Sequence, residues 1–418
     1  MVAPCQKPLV GQQRLRSVDA LRGLAALAVL FTHVPHLETL PICGRRLLFL
    51  PFDYGRQGVT LFLVISGFCI HLTVAKKLAG GQGVACNWAS FWRRRFHRLY
   101  PPYLGAIAVS LLCVLAVGWL NPVFVGDWES QTVLGGDVTT HLLLIHNLFK
   151  RYTLGLGNGA FWSLGLEEQL YGLYAVFLLA RTRLGLARAF LSTLAVSGLW
   201  FAFGVALNPS YLRLESWITW PFTWWFVWLL GAVAAEAYAG VIRLPGWCYR
   251  AEVACVAACC GLVLYQPMFS LLRADRLLTY LLGGTPGALW SRDPRGAFAS
   301  LGHYAFAFAF FVAINRAVQA EQSGLWGGRV NHWLSRIGIM SYSLYLVHLP
   351  ILRVGEEVFG QLHVGRTVFG TVARYILMVP LCVLLAYGFF RLVERRFLNA
   401  GTARSVASPL QTVMRKAA

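Results

Sequence analysis

The stretch DALRGLAALAVLFTHV, residues Asp19–Val34, decides the fold class. It is apolar enough to lie in a lipid bilayer, yet it carries Asp19 and Arg22 near its start and His33 near its end. Ionisable side chains inside a membrane span are costly and usually face a cavity or a partner. The stretch therefore predicts a membrane helix with a polar site on one face. A histidine satisfied within the core would also explain His33 taken alone.

The spacing within this stretch places its polar groups. From Arg22 to His33 a helix rises by about 16 Å and returns to nearly the same face. The two side chains should therefore lie along one stripe, with Arg22 at one surface and His33 deep in the membrane. Asp19 is one turn from Arg22 and predicts an ion pair, and Ser17 or Asp19 is a candidate cap for the helix start.

The composition extends this conclusion to the whole chain. Of its 418 residues 57% are hydrophobic and 13% are charged, and the mean hydropathy is +0.58. Soluble domains contain about 25% charged residues. We therefore predict an all-α, polytopic membrane bundle of about ten transmembrane helices. The apolar runs lie near 17–36, 57–75, 101–120, 160–180, 187–206, 217–238, 251–268, 297–315, 336–353 and 372–391.

The positive charges predict the orientation. The net charge is +20, and the Lys and Arg residues lie beside apolar runs, which is typical of the positive-inside rule and argues against nucleic-acid binding. Most of them fall on the inner side when both termini are cytoplasmic and the short segment Val138–Phe149 is re-entrant or interfacial. We divide the chain into a cytoplasmic segment (1–16), a membrane domain (17–397) and a basic cytoplasmic tail (398–418).

Three further stretches place polar groups in apolar surroundings. The run RRRFHRLYPPYL, residues 93–104, carries Arg94, Arg95 and Arg98, which suit either lipid headgroups or a phosphate ligand. The block NGAFWSLGLEEQLYGLY, residues 158–174, places adjacent glutamates inside a helix, and at most one of them can face a given cavity. The block GIMSYSLYLVHLPIL, residues 338–352, repeats polar and aromatic residues at helical spacing, as an aromatic belt or a functional face. The ten cysteines show no metal-ligand spacing, so we predict neither a metal site nor a required disulfide.

These stretches together resemble the acyltransferase-3 family of integral membrane proteins, which includes O-antigen and exopolysaccharide acetylases. Arg22 and His33 match its Arg/Lys-x10-His motif, and Arg95 and Arg98 match its Arg-x-x-Arg motif. The blocks GVTLFLVISGFCI, WSLGLEEQLY and SYSLYLVHLPIL match its other signatures. The chain departs from the family pattern at Thr60, where an acidic residue is common, at Gly165, where serine is frequent, and at Arg396, which replaces a proline. The five motifs occur in the family's order from about Ser17 to Phe397.

The resemblance implies an O-acyltransferase that takes an acyl group from cytoplasmic acyl-CoA, usually acetyl-CoA, and transfers it without a metal to an acceptor hydroxyl. The expected catalytic residues are His33 as the base, with Glu167 or Glu168 orienting it or an acceptor hydroxyl. The residues expected to bind the CoA phosphates are Arg22, Arg94, Arg95 and Arg98. The residues expected on the acceptor side are Trp162, Ser163, Tyr345 and His348.

The expected acceptor is a saccharide or lipid-linked glycan, acylated in a bacterial cytoplasmic (inner) membrane. Two alternatives remain open: an acyltransferase for a macrolide or other secondary metabolite, and a secondary transporter or exporter. Transporters share buried ionisable groups, but the sequence shows no inverted repeat between its halves. The resemblance also implies a path for the thioester from the arginines to His33.

Overall fold

We analysed a computed structural model of the chain, which describes residues 14–34, 52, 54–84, 86–121, 134–207, 219–265, 295–365 and 367–398. The secondary structure of these residues is helical, with no strand among them, as the sequence predicts. The helices are α1 (Arg16–His33), α2 (Gln57–Ala79), α3 (Trp88–Leu120), α4 (Leu134–Leu142), α5 (Trp162–Leu184), α6 (Leu186–Leu207), α7 (Pro221–Tyr238), α8 (Ala251–Leu264), α9 (Arg295–Gln322), α10 (Arg329–Ile339), α11 (Ser341–Gln361) and α12 (Val368–Leu392).

Each of the ten predicted spans overlaps one of these helices. Within the described residues, five helices are long and apolar enough to cross a membrane, and a bent pair formed by α10 and α11 can supply a sixth. The count of ten therefore stays a prediction, as does the position of the termini, most of which lie outside the described residues. The segment around 138–149 contains only the nine-residue helix α4 and a short turn at His146–Leu148. At about 1.5 Å per residue α4 is too short to cross a bilayer.

Two predicted spans differ from the structure. The span expected over 336–353 is two helices that meet at Met340 with a bend of 73°. The span expected to begin at 101 begins at Trp88, because the side chain of Asn87 accepts the backbone N–H of Ser90 and caps an earlier start. The arginines of the 93–104 run therefore lie within α3 rather than before it.

Close backbone crossings fix the helices that carry the polar groups. A Cβ atom on Gly67 of α2 would lie 1.9 Å from the carbonyl oxygen of Trp228 in α7, and one on Gly231 would lie 1.9 Å from that of Val64. On α10, a Cβ atom on Gly338 would lie 1.8 Å from the carbonyl oxygen of Asp19 in α1. Small residues let membrane helices approach this closely. The crossings hold α1 and α2 in one register against their neighbours.

The start of α1 is stabilised by a distant residue rather than by its own cap. Neither Ser17 nor Asp19 caps the helix, contrary to the expectation from sequence. The carboxylate of Glu321, at the end of α9, accepts the backbone N–H groups of Arg16 and Ser17, each at 2.8 Å. A carboxylate at this position also interacts favourably with the helix dipole.

Candidate active site

His33 and His348 form the centre of the site. His33 is the last residue of α1 and is half-buried, whereas His348 lies in α11 and is buried. Their ring centroids are 5.1 Å apart, and Nε2 of His348 lies 3.4 Å from Nδ1 of His33. Both sequence-predicted histidines are thus in direct contact, although they are separated by more than three hundred residues along the chain.

The hydrogen bonds of the two rings fix their tautomers. Nδ1 of His33 lies 2.8 Å from the carbonyl oxygen of Val29, and Nδ1 of His348 lies 2.7 Å from that of Tyr345. A carbonyl oxygen only accepts, so both Nδ1 atoms must carry a proton when the rings are neutral. Nε2 of His33 then has a free lone pair, and it makes no hydrogen bond within the described part of the chain. A base for an approaching hydroxyl requires this arrangement.

The residues predicted to lie on the acceptor side are adjacent to this histidine pair. The hydroxyl of Tyr345 lies 2.6 Å from Oγ of Ser163 and also donates to the carbonyl of Ala160 at 3.0 Å. The ring of Tyr345 is 5.7 Å from that of His348. Trp162, beside Ser163, is half-buried with its ring 6.4 Å from that of Trp224. The structure therefore brings Ser163, Tyr345 and His348 together, with Trp162 at their edge.

Arg22, Arg95 and Arg98, which we term the arginine cluster, lie at the other end of the stripe on α1. Arg22 lies within electrostatic range of Arg98, and Arg95 and Arg98 both lie within range of Tyr171. Nη1 of Arg22 is 3.8 Å from Oδ1 of Asp19, so the predicted pair forms. Arg95 lies over the rings of Phe91 and Tyr171, and its buried Nε has no hydrogen-bond partner among the described residues. The cluster offers guanidinium donors to an anion.

Arg94, also predicted to bind the donor, lies apart from this cluster. It is exposed and donates to Oγ of Ser90 one turn back along α3. Glu394, in the short turn after α12, lies within electrostatic range of Arg98 and Arg22. Burial raises the pKa of the Glu394 carboxyl, although hydrogen bonds from Ser343 and these two cations oppose the shift.

The adjacent glutamates face different surroundings. Oε1 of Glu167 accepts the hydroxyl of Ser66 at 2.5 Å and that of Tyr171, and Glu167 lies within electrostatic range of Arg22. Glu168 is half-buried and makes no hydrogen bond in the described residues. Neither carboxylate contacts His33. The group that orients His33 is the carbonyl of Val29 rather than a glutamate, contrary to one of the expected roles.

A cavity of about 640 Å³ lies beside the arginine cluster. Its wall is formed by the first turns of α3, residues 142–144, the start of α5 and Tyr342, and it includes both Glu167 and Glu168. The wall is otherwise mostly apolar and aromatic. The lining includes Arg93, but His33, His348 and the three members of the arginine cluster are not among the described residues that line it. The void therefore lies beside the arginine cluster without being lined by it, and it does not reach the histidine pair.

No group of three or more His, Cys, Asp or Glu side chains in the described ranges is arranged to hold a metal ion. Sequence reasoning missed Ser66 and Tyr171 as partners of Glu167. Tyr171 does lie one turn after Glu167, which is a signal that the i, i+4 rule supplies. It also missed Gln57 and His303, whose pairing joins α2 to α9 and leaves no local pattern.

Comparison with known proteins identifies the family. The model of the acyltransferase domain family matches residues 15–391, and the chain therefore belongs to the acyltransferase-3 family. Acyltransferase MdmB of Streptomyces mycarofaciens is 23% identical over 83% of this chain and 81% of its own length. Peptidoglycan O-acetyltransferase OatA of Listeria monocytogenes is 27% identical, and putative peptidoglycan O-acetyltransferase YrhL of Bacillus subtilis is 30% identical.

The two peptidoglycan enzymes are matched only in part. The alignments cover 39% and 40% of this chain and 24% of each relative. No solved structure matches the chain. The family and its O-acetyltransferase members support an O-acyltransferase in a chain with several apolar helices.

Proposed function

We propose that this protein transfers an acyl group, in the first instance acetyl, from cytoplasmic acyl-CoA to a hydroxyl of a saccharide or lipid-linked glycan. The observation that carries the proposal is the unpartnered Nε2 of His33, held by the carbonyl of Val29 and backed by His348. The arginine cluster on the same stripe supports a donor that carries phosphates. The proposal includes ten membrane spans with both termini in the cytoplasm of a bacterial inner membrane.

The chemistry follows from the free nitrogen. As the acceptor oxygen attacks the thioester carbonyl, its proton moves to Nε2 of His33. The carbon–sulfur bond then breaks, and the CoA thiolate takes the proton from the imidazolium, so the ring returns to its starting state. An acyl-histidine intermediate is the variant, in which Nε2 attacks the thioester carbonyl and the carbon–sulfur bond breaks to release CoA thiolate. The acceptor hydroxyl then attacks the acyl group and displaces Nε2, and its proton passes to the thiolate.

The donor end needs a path between the cavity and His33. Leu164 and Tyr342 line the cavity, and the next groups inward are Ser163 and Tyr345, whose side chains are hydrogen-bonded. From Tyr342 to His348 the helix α11 rises by about 9 Å. We propose that the pantetheine arm of CoA passes this hydrogen bond to bring the thioester to His33.

The test is CoA release by purified protein in liposomes with acetyl-CoA and soluble glycan fragments. Acceptor-dependent release is expected from the wild type and not from His33→Ala. His332→Ala, which removes an exposed histidine of α10, is the matched control and should retain the wild-type rate. Equal rates in His33→Ala and wild type would refute the assignment. Uptake of solute without CoA release would favour a transporter instead.

A lipophilic secondary metabolite is a second class of acceptor. The aromatic rings at the His33 end, among them Tyr345 and Trp162, favour it, because an apolar acceptor packs well on such rings. Adding macrolide and glycan acceptors to the same CoA-release assay separates the two classes.

A further inference from the structure

A second polar group of residues lies at the His33 end of the bundle and is unused by the mechanism above. Gln57, at the start of α2, is 3% exposed. Its Oε1 lies 3.0 Å from Nδ1 of His303 and 3.1 Å from Oγ1 of Thr60, while its Nε2 is buried without a hydrogen-bond partner. Exchanging the amide oxygen and nitrogen would leave the other atom unpaired instead. Such an atom is available for a hydrogen bond to a bound ligand or water.

Aromatic rings surround His303. Its ring centroid is 5.2 Å from that of Trp224, at an interplanar angle of 64°, and 5.5 Å from that of Tyr265, at 76°. Trp224 in turn lies 6.4 Å from Trp162, which adjoins Ser163. The aromatic rings therefore run from the buried Trp224 to the half-buried Trp162, beside the acceptor-side residues predicted from sequence.

Arg56 links this group to the catalytic histidine. It is exposed and lies within electrostatic range of both His33 and His303. The neighbouring Gly55 packs against the last turns of α1, where a Cβ atom would lie 2.0 Å from the carbonyl oxygen of Ala28. Arg56 and Gln57 are thus held at the same end of α1 as His33.

We propose that Arg56, Gln57, Trp224 and His303 form an acceptor subsite for a glycosyl unit, which presents its hydroxyl to His33. A saccharide offers apolar C–H faces that pack on aromatic rings, and hydroxyls that both donate to and accept from an amide. The unpaired atom of Gln57 would hydrogen-bond one such hydroxyl, and the Arg56 guanidinium would bind an oxygen at the open side. These are binding and positioning residues; the proton moves only to His33. The inference rests on the proposed function and specifies the residues that bind its acceptor.

The experiment measures acceptor and donor constants separately in the full-length protein. The probes are acetyl-CoA with soluble peptidoglycan fragments, soluble surface polysaccharide fragments and macrolides. Gln57→Leu is expected to raise the KM for the glycan at least 10-fold and to leave the KM for acetyl-CoA within 2-fold. His303→Leu should behave alike, and His303→Gln, which keeps a hydrogen-bonding side chain, should recover part of the affinity.

The matched control is Asn315→Leu, which removes another buried amide without hydrogen-bond partners further along α9. It should leave both constants unchanged, and size-exclusion profiles in detergent show whether each variant folds. If both Leu variants fail to fold, the KM of His303→Gln decides: an acceptor KM within 2-fold of wild type would overturn the subsite. So would wild-type acceptor constants in folded Gln57→Leu, or activity with macrolides alone. No CoA release from wild type with any probe would overturn the proposed function itself.

Discussion

The two ends of the site differ in the chemistry they offer. The arginine cluster presents guanidinium groups, partly balanced by Asp19, Glu167 and Glu394. The His33 end presents imidazoles, hydroxyls and aromatic rings, with Arg56 as its cation. The arginine cluster suits charge-assisted binding of an anion, whereas the His33 end suits proton transfer between neutral groups. The comparison supports the proposal that one substrate with phosphates and another with hydroxyls enter from opposite ends of α1.

The largest expected effect tests the His33 end alone. His33→Gln keeps a polar side chain but removes the base, and kcat should fall by about 10²- to 10⁴-fold. The affinity for acetyl-CoA, measured by equilibrium binding, should stay near that of wild type because the arginines are untouched. A large loss of donor affinity in this variant would mean that the two ends are not separate.

The next effect tests the arginine end. Arg98→Ala should raise the KM for acetyl-CoA by about 10- to 100-fold, the equivalent of one lost charge-assisted hydrogen bond. Its kcat at saturating donor should change little, and the donor KM should depend less steeply on salt. Arg336→Ala, which removes an exposed cation of α10, is the control. An equal loss in both variants would point to a diffuse surface potential rather than a site.

A smaller effect is expected from the residue that backs the base. His348→Phe keeps an aromatic ring but removes the nitrogen that contacts Nδ1 of His33, so we expect kcat to fall by about 10-fold with both KM values unchanged. His348→Gln restores an acceptor and should recover part of the rate. A positioning role also requires the pH profile of kcat to shift in His348→Phe, since the environment of the base changes. An unchanged pH profile would mean that His348 contributes only packing against His33.

The sequence predicted which residues lie at the two ends of the site better than it predicted how the helices bring them together. Apolar runs located the helices, and Arg22 and His33 lie on one continuous helix as their spacing indicates. The contact between His33 and His348 was not predictable, because it depends on how α11, after the bend at Met340, packs against α1. The pair formed by Gln57 and His303 joins helices far apart in sequence and follows from packing, which no local periodicity encodes. The arginine-containing loop 267–296 is, by sequence, either a solvated irregular loop or a candidate for binding an acceptor, and it lies almost entirely outside the described residues.

The smallest expected effect separates the adjacent glutamates at the arginine end. Glu167→Gln weakens the hydrogen bonds from Ser66 and Tyr171 and removes a charge near Arg22, so the free energy of unfolding should fall by about 1 kcal/mol. Glu168→Gln loses no hydrogen bond within the described chain, and its thermal midpoint in detergent should match or slightly exceed that of wild type. Because Glu168 lines the cavity, the same variant also reports on the donor path, and its KM for acetyl-CoA should change by less than about threefold. Should Glu168→Gln lower the thermal midpoint more than Glu167→Gln does, Glu168 rather than Glu167 would be the carboxylate that stabilises this end of the site.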